Sequence, residues 1–230
     1  MTRVAVITGG SQGLGHALAR ELAAQGWQLV IDARRADRLH DAAAGLQAQT
    51  DVNALAGDVA DPAHIAALRA AAEQFGHVDL LVNNASTLGQ SPLPRLDDIE
   101  LDVLRRILDV NVVAPIAIVQ ALSHLLTDHA TIVNITSDAG AEAYETWGGY
   151  GASKAALEHA SRVLAAERPA WRVLVVDPGD MRTEMHQDAF PGEDISDRPL
   201  PEDRAPAIVA LVNSDRPSGR YTVADLMGAV

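Results

Sequence analysis

Short runs of β-branched and apolar residues alternate along the chain with longer stretches whose apolar positions recur every three or four residues. These are the two periods that separate strands from amphipathic helices. The apolar runs predict strands at Val4–Thr8, Gln28–Asp32, Asn53–Ala56, Leu80–Asn83, Thr131–Thr136 and Arg172–Asp177, with a weaker one near Tyr221–Val223. The helical period covers Leu14–Gln25, Arg38–Gln49, Pro62–Gln74, a long pair from Ile99 to Leu126, and Tyr150–Glu167. Asp61-Pro62 reads as a helix start, an acceptor side chain at the N-cap followed by proline at the first helical position. Strands alternating with helices, with no linker and no repeat, imply βαβ crossovers and a parallel sheet of about seven strands covered on both faces. The expectation is therefore one doubly wound α/β domain of Rossmann type over residues 1–230. Ligands in such sheets bind beyond the carboxyl ends of the strands. Gly9, Asp58, Asn83, Ser137 and Gly179 all fall at or just after those predicted ends, which places them around one cleft.

Composition narrows the classes of partner. The chain has 230 residues and a formal net charge of −13, dispersed along its length, which argues against nucleic acid as a ligand. No apolar run reaches the roughly eighteen residues a membrane helix requires. Strand-like sequence begins by Val4, which leaves no room for a signal peptide. Cysteine is absent, so disulfides and thiolate metal sites are excluded. A soluble, cytoplasmic protein with no membrane or metal partner is expected.

Two local patterns carry chemistry. The first strand runs at once into Gly9-Gly10-Ser11-Gln12-Gly13-Leu14-Gly15 and then into an amphipathic helix. Strand, glycine-rich turn and helix in that order is the context of a dinucleotide site, where the backbone approaches a pyrophosphate and the helix N-terminus offers free N–H groups. An ordinary glycine-rich turn has the same order. The second pattern is Tyr150-Gly-Ala-Ser-Lys154, which puts a phenol and an ammonium on one helix face. A neighbouring cation favours the phenolate and would lower the tyrosine pKa from about 10 toward a range useful for proton transfer. Pro115 adds a further feature. It cannot hydrogen-bond the carbonyl of Asn111 four residues back, which predicts either a kink with a water held at that carbonyl or a plain break between two helices.

Thr8-Gly9-x-x-x-Gly13-x-Gly15, Asp58, Asn83-Asn84-Ala85, Asn111, Ser137, Tyr150 with Lys154, and Pro178-Gly179 followed by Thr183 occur in an order that resembles the short-chain dehydrogenase/reductase family over nearly the whole chain. The resemblance implies an NAD(P)-dependent oxidoreductase. Gly9, Ser11, Gln12, Gly13, Leu14 and Gly15 would cradle the cofactor, Asp58-Val59 would contact the adenine, and Asn84-Ala85 the ribose. Ser86 stands where the family segment usually carries glycine. Pro178, Gly179 and Thr183 would hold the nicotinamide. Tyr150 would be the proton donor, Lys154 its pKa-setting partner and a ribose ligand, and Ser137 a donor to the carbonyl oxygen. Asn111 would hold a water linking Lys154 to solvent.

The cofactor type turns on Asp32-Ala33-Arg34-Arg35. An acid at the end of the second strand binds the ribose 2′-hydroxyl of NAD, whereas arginine accepts the 2′-phosphate of NADP. Aligned with the family, the NAD-selecting acid belongs at Ala33, and Arg34, with Arg35 beside it, falls where NADP-dependent members carry a basic residue. Asp32 comes one place early, turned into the protein or paired with a nearby arginine. NADPH/NADP+ is favoured, with NADH the alternative. The substrate-pocket candidates are Asp138, Glu142, Tyr144, Trp147, Met181, Met185 and Phe190, and residues 184–201 read as a substrate lid. The carboxylates near the entrance favour a neutral or polar ketone over an anionic acyl carrier. A homodimer through Val112–Leu126 and Tyr150–Glu167, or a homotetramer, is expected, although the terminal Arg220-Tyr-Thr-Val departs from the family pattern on which tetramer contacts are often built. Three rivals to an NADP(H)-dependent ketone reductase are an NAD-dependent alcohol dehydrogenase, a catalytically idle nucleotide sensor, and an epimerase or dehydratase. The last needs a longer C-terminal substrate domain than is present here.

Overall fold

The computed structural model describes residues 2–228, so Met1 and the last two residues of the expected 1–230 domain lie outside the description. The strands are β1 (Val4–Ile7), β2 (Gln28–Ala33), β3 (Val52–Ala56), β4 (Val78–Asn83), β5 (Leu126–Ile135), β6 (Arg172–Asp177) and β7 (Gly219–Thr222). The helices are α1 (Gly13–Ala24), α2 (Ala36–Gln47), α3 (Pro62–Glu73), α4 (Leu101–Leu108), α5 (Ala114–Leu122), α6 (Gly148–Glu167), α7 (Glu184–Ala189), α8 (Pro201–Val212) and α9 (Val223–Gly228). All strand pairs are parallel, in the order β3-β2-β1-β4-β5-β6-β7. The order reverses between β1 and β4, which opens a crevice beyond their carboxyl ends.

A parallel sheet covered by helices buries both faces of its strands, and so the four residues of β1 are fully buried with no polar alternation. Ala5 and Ile7 face a core with Leu18 and Leu22 of α1 and Ile208 and Val212 of α8. Val6 faces the other core with Leu68 of α3 and Ile118 and Leu122 of α5. Asp61 caps α3 as its sequence predicts, its side chain accepting from the Ala63 N–H at 2.9 Å with Pro62 next in line.

Helices α7 and α9 are not predicted by the sequence pattern, and α9 takes up Val223, read from the sequence as strand; three further departures concern the frame of the sheet. Helix α8 escapes the periodicity because it starts Pro-Glu-Asp-Arg-Ala-Pro. Pro201 sits at its first position, where no N–H is needed, and the burial of Ala205, Ile208, Val209 and Leu211 offsets the hydrogen bond lost at Pro206. Strand β5 begins at Leu126, not Thr131; its first half, Leu-Thr-Asp-His-Ala, breaks the apolar pattern and spans a register shift against β4 between Val78 and Leu80. Neither is the chain broken before Pro115. Residues Leu101–Leu122 form one continuous helical run with a wide turn, Asp109–Val113, in which the Ala114 N–H reaches back to the Asp109 carbonyl. That single wide turn absorbs the proline without ending the helix.

Candidate active site

The glycine turn is set by backbone geometry. Gly9 and Gly13 adopt φ of +69° and +55°, a region that side chains disfavour. A Cβ at Gly15 would lie 2.3 Å from the Gly9 carbonyl oxygen and 2.5 Å from Asn84 Nδ2, so only glycine lets α1 start against the turn. Gly15→Ala is expected to cost roughly 1–3 kcal/mol through overpacking, visible as a lower Tm; an unchanged Tm would mean that the turn relaxes freely. The Asn84 side chain locks the same turn by donating to the Thr8 carbonyl at 2.9 Å. Asn83 points away, into the core, where it bonds Asn134 at 2.7 Å.

Asp32 is fully buried beneath this turn. One carboxylate oxygen accepts the Gly9 N–H at 2.8 Å and the other meets His64 Nε2 at 2.9 Å. Of the two placements its sequence position allows, it takes the inward one, and it pairs with no arginine. Burial pushes its carboxyl up from the usual aspartate range, against the opposing pull of the His64 and Gly9 contacts. The charged side chains that line the cleft beside it with no tie to the glycine turn's backbone are guanidinium groups, those of Arg34 and Arg35 after β2 and of Arg38 on α2. Arg35 pairs with Asp37 at 3.0 Å, and Arg38 with Glu184 at 2.6 Å. Arg38 was not evident from the sequence, because the helical period places it on α2 without showing that it faces the cleft. Asp58 lines the same wall, where it accepts the Ala60 N–H at 3.0 Å and pairs with Arg106.

The cleft is a cavity of about 1100 Å³ along the carboxyl ends of the strands. Every cofactor and catalytic candidate lines it except Gly15 and Asn111, which act from behind. Asn111 is buried in the wide turn; its amide donates to Thr87 O at 2.9 Å and to Ser153 Oγ at 3.0 Å. Its oxygen accepts from the Thr87 N–H at 2.9 Å and from Ser86 Oγ at 3.1 Å. The side chain thus fastens the loop after β4 to α6. Ser86, in the place of the family glycine, also contacts the Tyr150 phenol.

Tyr150 and Lys154 share the inner face of α6. The ammonium lies 5.3 Å from the ring centroid and donates to the Ile135 carbonyl at 2.9 Å. The expected lowering of the phenol does not occur in this environment. Burial pushes Tyr150 up, with Ser86 opposing it, and pushes Lys154 down to about 8. Desolvation is the largest cause for both groups. Ser137, just past β5, accepts the Ala139 N–H at 3.2 Å while its hydroxyl donates to Asp138 Oδ1 at 2.8 Å. Beneath it, Arg220 of β7 reaches Glu158 at 3.1 Å and Asp177 at 3.0 Å, and also touches the Ser137 carbonyl at 3.4 Å. The sequence pattern gave no sign of this support.

The far end of the cleft is aromatic and sulfur-rich. Trp147 packs edge-on against Tyr150 at 5.7 Å and against Phe190 at 5.8 Å. Met185 and Ala189 of α7 join Leu88, Ala139 and Tyr150 in one apolar cluster. Met181, Tyr144 and Asp138 line the same end; Glu142 does not, but it meets the Tyr144 hydroxyl at 3.1 Å, as does Asp138. These two carboxylates, Asp138 first, push the Tyr144 phenol up to about 12. Gly179, at φ +70°, turns the chain after β6, and Thr183 caps α7 by accepting the His186 N–H at 3.2 Å.

Comparison with known proteins agrees with this geometry. A family model described as short chain dehydrogenase matches residues 3–194. An uncharacterized oxidoreductase of Staphylococcus epidermidis is 34% identical over 196 residues, 83% of each chain. A sulfoacetaldehyde reductase of Chromohalobacter salexigens is 37% identical over 191 residues, 80% of this chain and 74% of the relative. Among solved structures, an alcohol dehydrogenase of the archaeon Thermococcus sibiricus complexed with 5-hydroxy-NADP superposes with a TM-score of 0.86 at 27% identity over 96% of both chains. The chain belongs to the short-chain dehydrogenase/reductase family of NAD(P)-dependent oxidoreductases.

Proposed function

We propose that the protein is an NADP(H)-dependent reductase of a ketone, with Tyr150 as proton donor. The observation that carries the cofactor assignment is the wall at the end of β2. Arg34, Arg35 and Arg38 line the cleft there, while Asp32, the one acid near the selecting position, is buried on Gly9 and His64. A guanidinium fork suits a phosphate, and a carboxylate whose two oxygens are already taken by the Gly9 N–H and His64 is not free to bind a ribose hydroxyl. The Thermococcus relative, complexed with 5-hydroxy-NADP, supports the same choice. The glycine turn fits the dinucleotide, since Gly9, Ser11, Gln12, Gly13 and Leu14 line the cavity and a Cβ at Gly9 would press on Ala85. Pro178, Gly179 and Thr183 line the nicotinamide end, and Val59, Asn84 and Ala85 the adenosine side.

When bound, the nicotinamide supplies hydride to the substrate carbonyl carbon. Tyr150 delivers the proton to the carbonyl oxygen, and Ser137 donates a hydrogen bond to that oxygen once its hydroxyl turns from Asp138. Lys154, held by the Ile135 carbonyl, provides the positive charge that stabilises the phenolate left behind. Asn111 fixes the loop carrying Ser86 against α6 and so keeps the tyrosine side of the cleft in register. An NADP preference points to the reductive direction.

Residues 184–201 form the substrate lid. The chain leaves and returns at one point, the Arg182 N–H donating to the Pro199 carbonyl at 2.8 Å, and α7 between them lays Met185 and Phe190 against Trp147. The substrate is a neutral or polar ketone of modest size, since Asp138 stands at the aromatic end and repels an anion. Val113, Ile116 and Val163, exposed on the helical face around α5 and α6, support a homodimer through these helices. Among the described residues no helix is long and apolar enough to cross a membrane.

Titration with NADPH and NADH, followed by fluorescence, tests the cofactor assignment. NADPH is expected to bind more tightly, and Arg34→Ala to weaken NADPH by roughly tenfold to a hundredfold while sparing NADH. An equal loss for both nucleotides would overturn it.

A further inference from the structure

Glu184, the first residue of α7, is the meeting point of three walls of the cleft. Its carboxylate takes both prongs of the Arg38 guanidinium, Nη2 at 2.6 Å and Nη1 at 2.7 Å, and a third donor, Gln12 Nε2 of the glycine turn, at 3.1 Å. Arg38 also contacts the Gln12 amide oxygen. These partners lie 146 and 172 residues from Glu184 in sequence, so the contact is built by the fold and not by local chain geometry. Two parallel N–H donors on one anion is the geometry by which arginine takes a phosphate as readily as a carboxylate. Three donors converging on one anion, beside the exposed Arg34 and Arg35, therefore make an anion site already filled by the chain's own side chain. The carboxylate is held below the usual glutamate range by Arg38 and Gln12, which keeps it an anion in that site.

We propose that Glu184 is a cofactor-specificity residue: its carboxylate competes with the 2′-phosphate for the guanidinium fork of Arg38, so that NADP(H), and not NAD(H), unfastens the lid from the glycine turn. This rests on the NADP(H) assignment above. The chemistry favours exchange, because a phosphate with two negative charges outbids a single carboxylate for a cluster of three guanidinium groups. It also gives the exchange a structural outlet. Glu184 begins the helix that carries Met185 and Ala189 into the apolar cluster over Tyr150. Release of Glu184 therefore frees α7 from the glycine turn, while the base of the lid stays tied by the Arg182–Pro199 hydrogen bond. NADH has no group to take the fork and leaves the clasp shut.

The test is Glu184→Gln, which keeps size and removes the charge. An exposed ion pair is modest in strength, and the expected gain is about threefold tighter NADPH binding with NADH unchanged. In an Arg38→Ala background the same substitution should give no gain. Amide hydrogen exchange over residues 184–190 should rise on saturation with NADP+ and stay level with NAD+. Weaker binding of both nucleotides in Glu184→Gln would show instead that the clasp straps down over a bound cofactor, and no change in either would show that it is a surface pair only; both results overturn the proposal. If the unsubstituted protein fails to prefer NADPH, it is the NADP(H) assignment that fails. A clear preference for NADPH together with an inert Glu184→Gln removes the clasp alone.

Discussion

Replacement of Tyr150 by phenylalanine is expected to lower turnover by about 10²–10⁴-fold and to leave nucleotide affinity within a few-fold of its starting value. The ring lies in the apolar cluster with Leu88, Ala139 and Trp147, and phenylalanine keeps those contacts. Only the hydroxyl is lost, together with its contact to Ser86. Steady-state kinetics paired with a nucleotide titration separates the two quantities. Retained turnover would remove Tyr150 as the proton donor and turn attention to Ser137 and Ser86, the remaining hydroxyls nearby. The experiment also tests how burial is overcome. Desolvation holds the free phenol high and the Lys154 ammonium low, at about 8, so the pair must gain its acid strength from groups that arrive with substrate and cofactor.

The second large effect is structural. Arg220 bridges Glu158 and Asp177, two carboxylates whose side chains are only 9% exposed. Thr136 adds a hydrogen bond to Glu158 at 2.7 Å, and the Gly179 N–H donates to Asp177 at 2.9 Å. Removing one member of a buried ion pair leaves the other charge without compensation, which costs about 3–5 kcal/mol. Arg220→Ala strands two carboxylates, yet the guanidinium itself is one-third exposed, so the lower end, about 3 kcal/mol, is expected. For a domain of this size that is a fall of roughly 6–12 °C in Tm, read by circular dichroism. An unchanged Tm would mean that water replaces the guanidinium at little cost. Because Arg220 also touches the Ser137 carbonyl, turnover at temperatures below the transition should fall as well.

Much of the fold was legible because the strong signals are local. The β1 run, the glycine turn and the Asp61-Pro62 cap are each written in a handful of adjacent residues, and each is found where those residues predict it. The catalytic candidates share that property: spacing alone puts Tyr150 and Lys154 on one face of α6. What stayed hidden depends on contacts between distant segments. Helix α8 is formed by burial against α1 despite two prolines in its first half. The inward turn of Asp32 depends on His64, thirty-two residues away. Arg38 belongs to the cleft only because Gln12 and Glu184 come to meet it. The direction of the Tyr150 shift was misjudged for a related reason. Spacing reports the neighbouring charge but not the solvent that folding removes, and here the missing solvent is the larger effect.

The placement of Arg220 on β7 has a consequence for biosynthesis. Glu158 and Asp177 leave the ribosome well before the residue that neutralises them, while the strands β1 to β5 already have their neighbours to pair with. A nascent chain that has reached β6 can assemble the nucleotide half of the sheet, but it carries two carboxylates that cannot be buried together. The floor under Ser137 therefore closes late in synthesis. A chain that ends between β6 and β7 lacks the one guanidinium that Glu158 and Asp177 share.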